Sequence, residues 1–250
     1  MIVTDEKKER FWEIDALRGI AILMMIAYHV LFDLVYFGLT STDLNALPVL
    51  VFLYPISTLF LLLVGVSLTL SYNRVKQMLT TSQLRLKYIK RGSSIFGLGL
   101  LITLVTWVYP HNGYIVFGVL HCIGLSILLG YLFIQSRFSA LPAGVVCIGI
   151  GIFLKVFITV DYPWLLWLGV VPRSFYTLDY FPLFPWFGVV LLGIFLGNSM
   201  YQDNIRKFKI KDVSQFIAVR LLCFLGKHSL IIYLLHQLII VGILYLLGGV

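Results

Sequence analysis

The chain has 250 residues, 60% of them hydrophobic and only 12% charged, with a formal net charge of +8. So little charge excludes a soluble globular domain, and apolar segments of about 20 residues exclude the short alternating strands of an outer-membrane barrel. The expected fold is an all-α polytopic membrane bundle forming a single domain over 1–250. Its positive excess reads as loop topology rather than as a nucleic-acid surface.

After a mixed-charge tail with Lys7, Lys8 and Arg10, the first predicted helix runs from about Trp12 to Phe37. A loop without Lys or Arg leads to a second, about Pro48–Tyr72. The basic loop that follows carries Arg74, Lys76, Arg85, Lys87, Lys90 and Arg91, and its 84–91 half is expected as a short interfacial helix. A third helix, about Ser93–Val108, is joined by the PHNG link to a fourth, about Tyr114–Ile134. The fifth, about Ala140–Ile158, enters a loop rich in aromatic residues and proline that holds Asp161, Arg173 and Asp179. The sixth covers about Pro182–Met200 and precedes Arg206, Lys207, Lys209 and Lys211. FIAVRLLCFL, residues 216–225, is too short to span and carries Arg220, so it is expected at the interface; a seventh helix follows, about His228–Leu247.

Alternating these seven spans puts every Lys and Arg except Lys155 and Arg173 on the N-terminal side. The positive-inside rule then predicts a cytoplasmic N-terminus in a multi-pass plasma-membrane protein. The charged opening and the long apolar segment after it do not read as a cleavable signal. Cys122, Cys147 and Cys223 lie in apolar segments without CxxC spacing and read as buried hydrophobes. No strong internal repeat is visible.

The first span is the polar one. At 100° per residue Arg18, His29 and Asp33 fall within about 60° of Asp15, a stripe roughly 27 Å long. Ionisable groups in lipid are costly unless they face a cavity or a partner, so this stripe is expected to line a site. His121 is expected in the outer half of the fourth helix, on one face with Tyr114 and Gly118. Asp179 lies before the sixth helix, and Ser229, Tyr233 and His236 share a face of the seventh.

Each residue has a plainer reading. His29 and Asp33 at i, i+4 suit a hydrogen-bonded pair that locks a helix contact. His121 suits a packing histidine, Asp179 a helix N-terminus, Arg18 an ion pair with Asp15, and Lys227 and His228 an interface. Three chemistries fit the set. His29 oriented by Asp33 can act as a general base; His29, His121 and His236 can ligate a metal or haem, although the helical spacing of known bundle sites is missing and no metal is expected; or the stripe can serve a transporter or flippase for a small polar or lipid-linked solute.

Four blocks carry a family resemblance: EIDALRGIAILMMIAYH, GVLHCIG, DYFPLFPWFGVVLLGIFLG and GKHSLIIYLLHQ. In order along almost the whole chain, they resemble the transmembrane acyltransferases related to heparan-α-glucosaminide N-acetyltransferase, more narrowly the compact prokaryotic members. The resemblance implies transfer of an acetyl group from cytosolic acetyl-CoA to an amino sugar, or another glycan or lipid-linked acceptor, on the outer side. His29 falls where the lysosomal branch, as aligned, has an asparagine. That branch's proposed catalytic histidine lies in the loop after the first helix, where this chain has none, so His29 is itself the candidate. His29 with Asp33, His121 and His236 then form the expected catalytic set. Arg18, Arg91, Lys227 and His228, with Ser229, are expected to hold the donor's phosphates, and Tyr114, Asp179 and Tyr233 the acceptor. The bilayer, the acyl donor and the acceptor are the expected partners, with homo-oligomerisation open.

Overall fold

The computed structural model describes residues 10–202 and 205–248, so the tail with Lys7 and Lys8 lies outside the described residues. Among the described residues the helices are α1 (Trp12–Tyr36), α2 (Leu47–Val75), α3 (Thr81–Val108), α4 (Val119–Gly130), α5 (Arg137–Phe157), α6 (Leu183–Met200), α7 (Ile217–Lys227) and α8 (Ser229–Leu246). Among the described residues strand is confined to two short pairs. β1 (Thr159–Val160) runs parallel to β2 (Val171–Pro172), and β3 (Tyr201–Gln202) antiparallel to β4 (Ile205–Arg206). Helices α1, α2, α3, α5, α6 and α8 are long and apolar enough to cross a bilayer, so the chain is an all-α multi-pass membrane protein.

Contacts divide the chain into two units: Met1–Phe60 with Ile210–Val250, and Leu61–Lys209. In the first, α1 packs against α7 and α8. The α1–α7 contact is a backbone contact. A Cβ on Gly226 would collide with the carbonyl oxygen of Asp15, and one on Gly19 with that of Leu222. Further along α1, Ile22 and Met25 pack with Ile56 of α2, and Phe60, Ile232 and Tyr233 close over them.

The second unit is built around α6, whose Val190, Leu191 and Ile194 are fully buried. Glycines let its neighbours approach: Gly193 meets the carbonyl of Leu62 on α2, and Gly188 meets Gly144 on α5. Such small-residue contacts are the usual way helices associate where lipid removes the hydrophobic drive. Asn198 adds a side-chain N–H donated to the carbonyl of Ile134, at 3.1 Å.

Two elements differ from expectation. The basic 84–91 segment is not a separate interfacial helix; it forms the opening turns of α3. Thr80 caps that helix by accepting from the Gln83 N–H at 3.4 Å, while the Thr80 N–H donates to Gln83 Oε1 at 2.9 Å. Leu84, Tyr88 and Gly92, four residues apart, are buried along one face, which leaves Arg85, Lys90 and Arg91 exposed.

The fourth helix is also shorter than expected. It starts at Val119 because the backbone before it is paired elsewhere. Leu178 N–H donates to Gly113 O at 2.8 Å, Phe181 N–H to Phe117 O at 2.9 Å, and Thr177 Oγ1 to Tyr114 O at 2.9 Å. The seven expected spans thus become six of full length and one helix of 12 residues. The 216–225 segment is helical, as α7, and at 11 residues too short to span.

The Gly226–Asp15 contact yields a stability test. Gly226→Leu is expected to cost about 1–3 kcal/mol by overpacking. Gly242→Ala, where an added Cβ meets nothing within 4 Å, is expected to leave the melting temperature in detergent unchanged.

Candidate active site

Four polar side chains meet between α1 and α8. Asp33, only 2% exposed, accepts a hydrogen bond from Gln237 Nε2 at 2.7 Å. The His29 and His236 rings lie edge to face with centroids 4.7 Å apart. His236 Nδ1 stands 2.6 Å from the Tyr233 carbonyl, which can only accept, so the proton is on Nδ1 and Nε2 keeps its lone pair. His236 Nε2, His29 Nδ1, Asp33 Oδ2 and Gln237 Oε1 are all buried without a hydrogen-bond partner. Buried polar atoms left open cost about 1–3 kcal/mol each, and a cluster of them marks a place where a ligand or water completes the bonding. The expected Asp33–His29 hydrogen bond is not formed; Asp33 is held by Gln237 across the helix contact.

A second feature lies at the other end of α1, about 21 Å from His29 at helical rise if measured from Asp15. A cavity of about 610 Å³ opens there between α1 and α7, lined by Arg10, Trp12, Asp15, Arg220, Phe224 and Lys227 among others. Its cations outnumber its one carboxylate, and the buried indole N–H of Trp12 has no partner. A lining so rich in donors suits an anion. Arg18, expected to hold phosphate, is instead engaged by its own neighbours: its guanidinium donates to Asp15 Oδ1 at 3.2 Å and to the Gly226 carbonyl at 3.4 Å. Arg10 pairs with the other oxygen of Asp15 at 3.3 Å. His228 is exposed, with Nδ1 2.8 Å from the Phe224 carbonyl, and Ser229 opens α8.

The remaining expected residues belong to the second unit. His121 is buried at the start of α4, where Nδ1 accepts from the Gly118 N–H at 3.2 Å. Its Nε2 faces Thr103 Oγ1 at 3.4 Å, and that hydroxyl donates to Ile115 O at 2.7 Å. Both ring nitrogens are therefore used inside the protein, as a packing histidine requires. Asp179 serves a helix terminus, but that of α4 rather than α6: its Oδ2 accepts from the Val119 N–H at 3.0 Å. Tyr114 does not share a helix face with His121, because 114–118 is not helical; Arg91 is an exposed residue of α3.

Sequence reasoning missed Gln237, Trp12 and the cavity role of Arg10 and Arg220. An amide in the apolar run of α8 was the signal for Gln237, and a lone arginine in FIAVRLLCFL the signal for Arg220. Among the described residues no group of three or more His, Cys, Asp or Glu is placed to hold a metal ion.

Burial pushes the Asp179 carboxyl up to about 6, against the opposing hydrogen bonds from the Val119 and Tyr180 N–H groups. A raised carboxyl binds more protons in the native state than in the unfolded chain between the two pKa values, so it favours folding as pH falls through that window. Relative to Asp179→Asn, the wild type is expected to gain melting temperature as pH is lowered from about 7 to about 5. A difference that does not change with pH would contradict this.

The chain matches the family model described as heparan-alpha-glucosaminide N-acetyltransferase, catalytic, over residues 10–238. No curated protein and no solved structure matches it significantly. The matched stretch takes in Arg10, the polar stripe of α1 and the His236–Gln237 pair of α8, and covers most of the chain. The chain belongs to the heparan-alpha-glucosaminide N-acetyltransferase catalytic family, and is a multi-pass membrane protein of an acetyltransferase family.

Proposed function

We propose that this protein transfers an acetyl group from acetyl-CoA, held at the Arg10 end of α1, to an amine or hydroxyl acceptor bound beside His29, Asp33 and His236. The observation that carries the reading is the cluster of open, buried proton-accepting atoms between α1 and α8. An acyl acceptor must lose a proton to attack a thioester, and a neutral imidazole in a dry site is suited to take it. His29 is the general base, with His236 Nε2 beside it. As the acceptor's nitrogen or oxygen bonds to the acetyl carbon, its proton passes to the imidazole pair. The carbon–sulfur bond breaks, and the thiolate takes a proton from the imidazolium to leave as free CoA. Asp33 stabilises the positive charge that develops on the histidines.

The cavity at the start of α1 fits the donor's phosphates, with Arg10, Arg220 and Lys227 as cations and the Trp12 N–H as a neutral donor. Arg18 and Arg10 are held near it by Asp15. The charge distribution supports a cytoplasmic donor side and an outer acceptor side in the plasma membrane. That topology requires the stretch containing α4 to cross, since Arg137 and the 74–91 loop belong on one side. His121 and Asp179 are read as structural, and an amino sugar or another glycan or lipid-linked acceptor remains the favoured substrate class.

Calorimetry of acetyl-CoA with detergent-purified protein tests the donor site. Saturable binding is expected, weakened at least tenfold by Arg220→Ala or Lys227→Ala; binding indifferent to both would reject this cavity. Release of CoA thiol with amino-sugar acceptors tests the chemistry. His29→Ala, correctly folded, is expected to lose on the order of 100-fold or more in rate. Wild-type rates from that variant would remove His29 from the mechanism.

A further inference from the structure

We propose that Gln237 is a positioning residue of the α1–α8 site, one that holds Asp33 so that Oδ2, rather than Oδ1, is presented beside the two histidines. The inference rests on the acyl-transfer reading and deepens it.

A carboxylate only accepts, so the Gln237 amide has to turn its NH₂ toward Asp33, and the 2.7 Å contact settles which amide atom is which. Gln237 Oε1 is thereby directed away from Asp33. The same contact occupies Oδ1 and leaves Oδ2. Both of the freed atoms, Gln237 Oε1 and Asp33 Oδ2, are buried and unpartnered.

A clasp whose only work was to join two helices would not leave such atoms open. In lipid each unsatisfied group is expensive, and an apolar pair at these positions would join α1 to α8 without that cost. The amide–carboxylate pair instead leaves two acceptors open in the same α1–α8 contact that holds His29 Nδ1 and His236 Nε2, which are open as well. Gln237 thus orders the carboxylate of the α1–α8 site, and it acts through Asp33 rather than by touching the reacting atoms.

Among the described residues the titratable side chains placed at this contact are Tyr28 and His29 on α1 and Tyr233 and His236 on α8; the α2 residues packed earlier along α1, Ile56 and Phe60, are apolar. Replacing the amide by a carboxyl would set two carboxyls against each other. They would share one proton, and the protonated form could still donate to Asp33 in place of the amide.

The experiment measures acetyl transfer across pH for wild type, Gln237→Leu and Gln237→Glu, each shown by melting temperature to be folded. Gln237→Leu is expected to lose at least tenfold in kcat at every pH with the KM for acetyl-CoA unchanged. Gln237→Glu is expected to keep near-wild-type kcat at about pH 5.5 and to fall to the level of Gln237→Leu by about pH 8, as the shared proton is lost. A merely structural residue would lower the melting temperature without this pH-dependent rescue. If Gln237→Leu does not fold, the Gln237→Glu profile alone decides. Wild-type kcat and a wild-type pH profile in the variants, from an active wild type, overturn this inference and leave the acyl-transfer reading standing. An inactive wild type with every acceptor overturns that reading, and this inference with it.

Discussion

The structure depends on how a membrane helix that carries charge finds partners for it. α1 holds Asp15, Arg18, His29 and Asp33 on one stripe, and in lipid none of these can be left to solvent. The first unit answers this at both ends. At the start of α1, α7 approaches closely enough for the Gly226 carbonyl to join Asp15 in receiving the Arg18 guanidinium. Farther along, α8 supplies His236 and Gln237. The stripe is satisfied unevenly. Asp15 and Arg18 are tied into ion pairs, whereas the histidine end keeps open lone pairs.

The second unit shows the same rule applied to backbone. Residues 113–118 are not helical, yet the carbonyls of Gly113, Tyr114 and Phe117 are bonded by the segment 177–181 and that of Ile115 by Thr103, and the first N–H of α4 is capped by Asp179. Irregular backbone is tolerated in a membrane protein only where protein or water takes over its hydrogen bonds. His121 completes the arrangement by accepting from the Gly118 N–H. In sequence it is one intramembrane histidine among several. Its neighbours make it a structural group, while His29 and His236 remain chemically open.

Several particulars are legible in the sequence. The apolar runs marked every long helix, the brevity of 216–225 marked α7, and the 100° stripe identified Asp15, Arg18, His29 and Asp33 as residues that must face something. The four sequence blocks carried the family. What could not be read was pairing. The i, i+4 spacing of His29 and Asp33 made them look like partners, but a residue 204 positions away in sequence has the better geometry. Arg18 suited either a phosphate or an ion pair with Asp15; the pair forms, and the Gly226 carbonyl of α7, which no spacing announced, takes a further N–H. The 84–91 segment looked amphipathic enough to lie flat. A capping box at Thr80 and a buried Leu84–Tyr88–Gly92 face carry the helix through without a break.

Sequence by itself thus determined the class, the places of the long apolar helices and the polar stripe, because hydropathy and helical periodicity are local properties of the chain. Tertiary structure alone decided which polar atoms are spent and which stay open. That follows from contacts between α1, α7 and α8 whose closeness is set by glycines and whose partners lie some 200 residues apart, as with Arg18 and Gly226, separated by 208. No periodicity encodes such a contact.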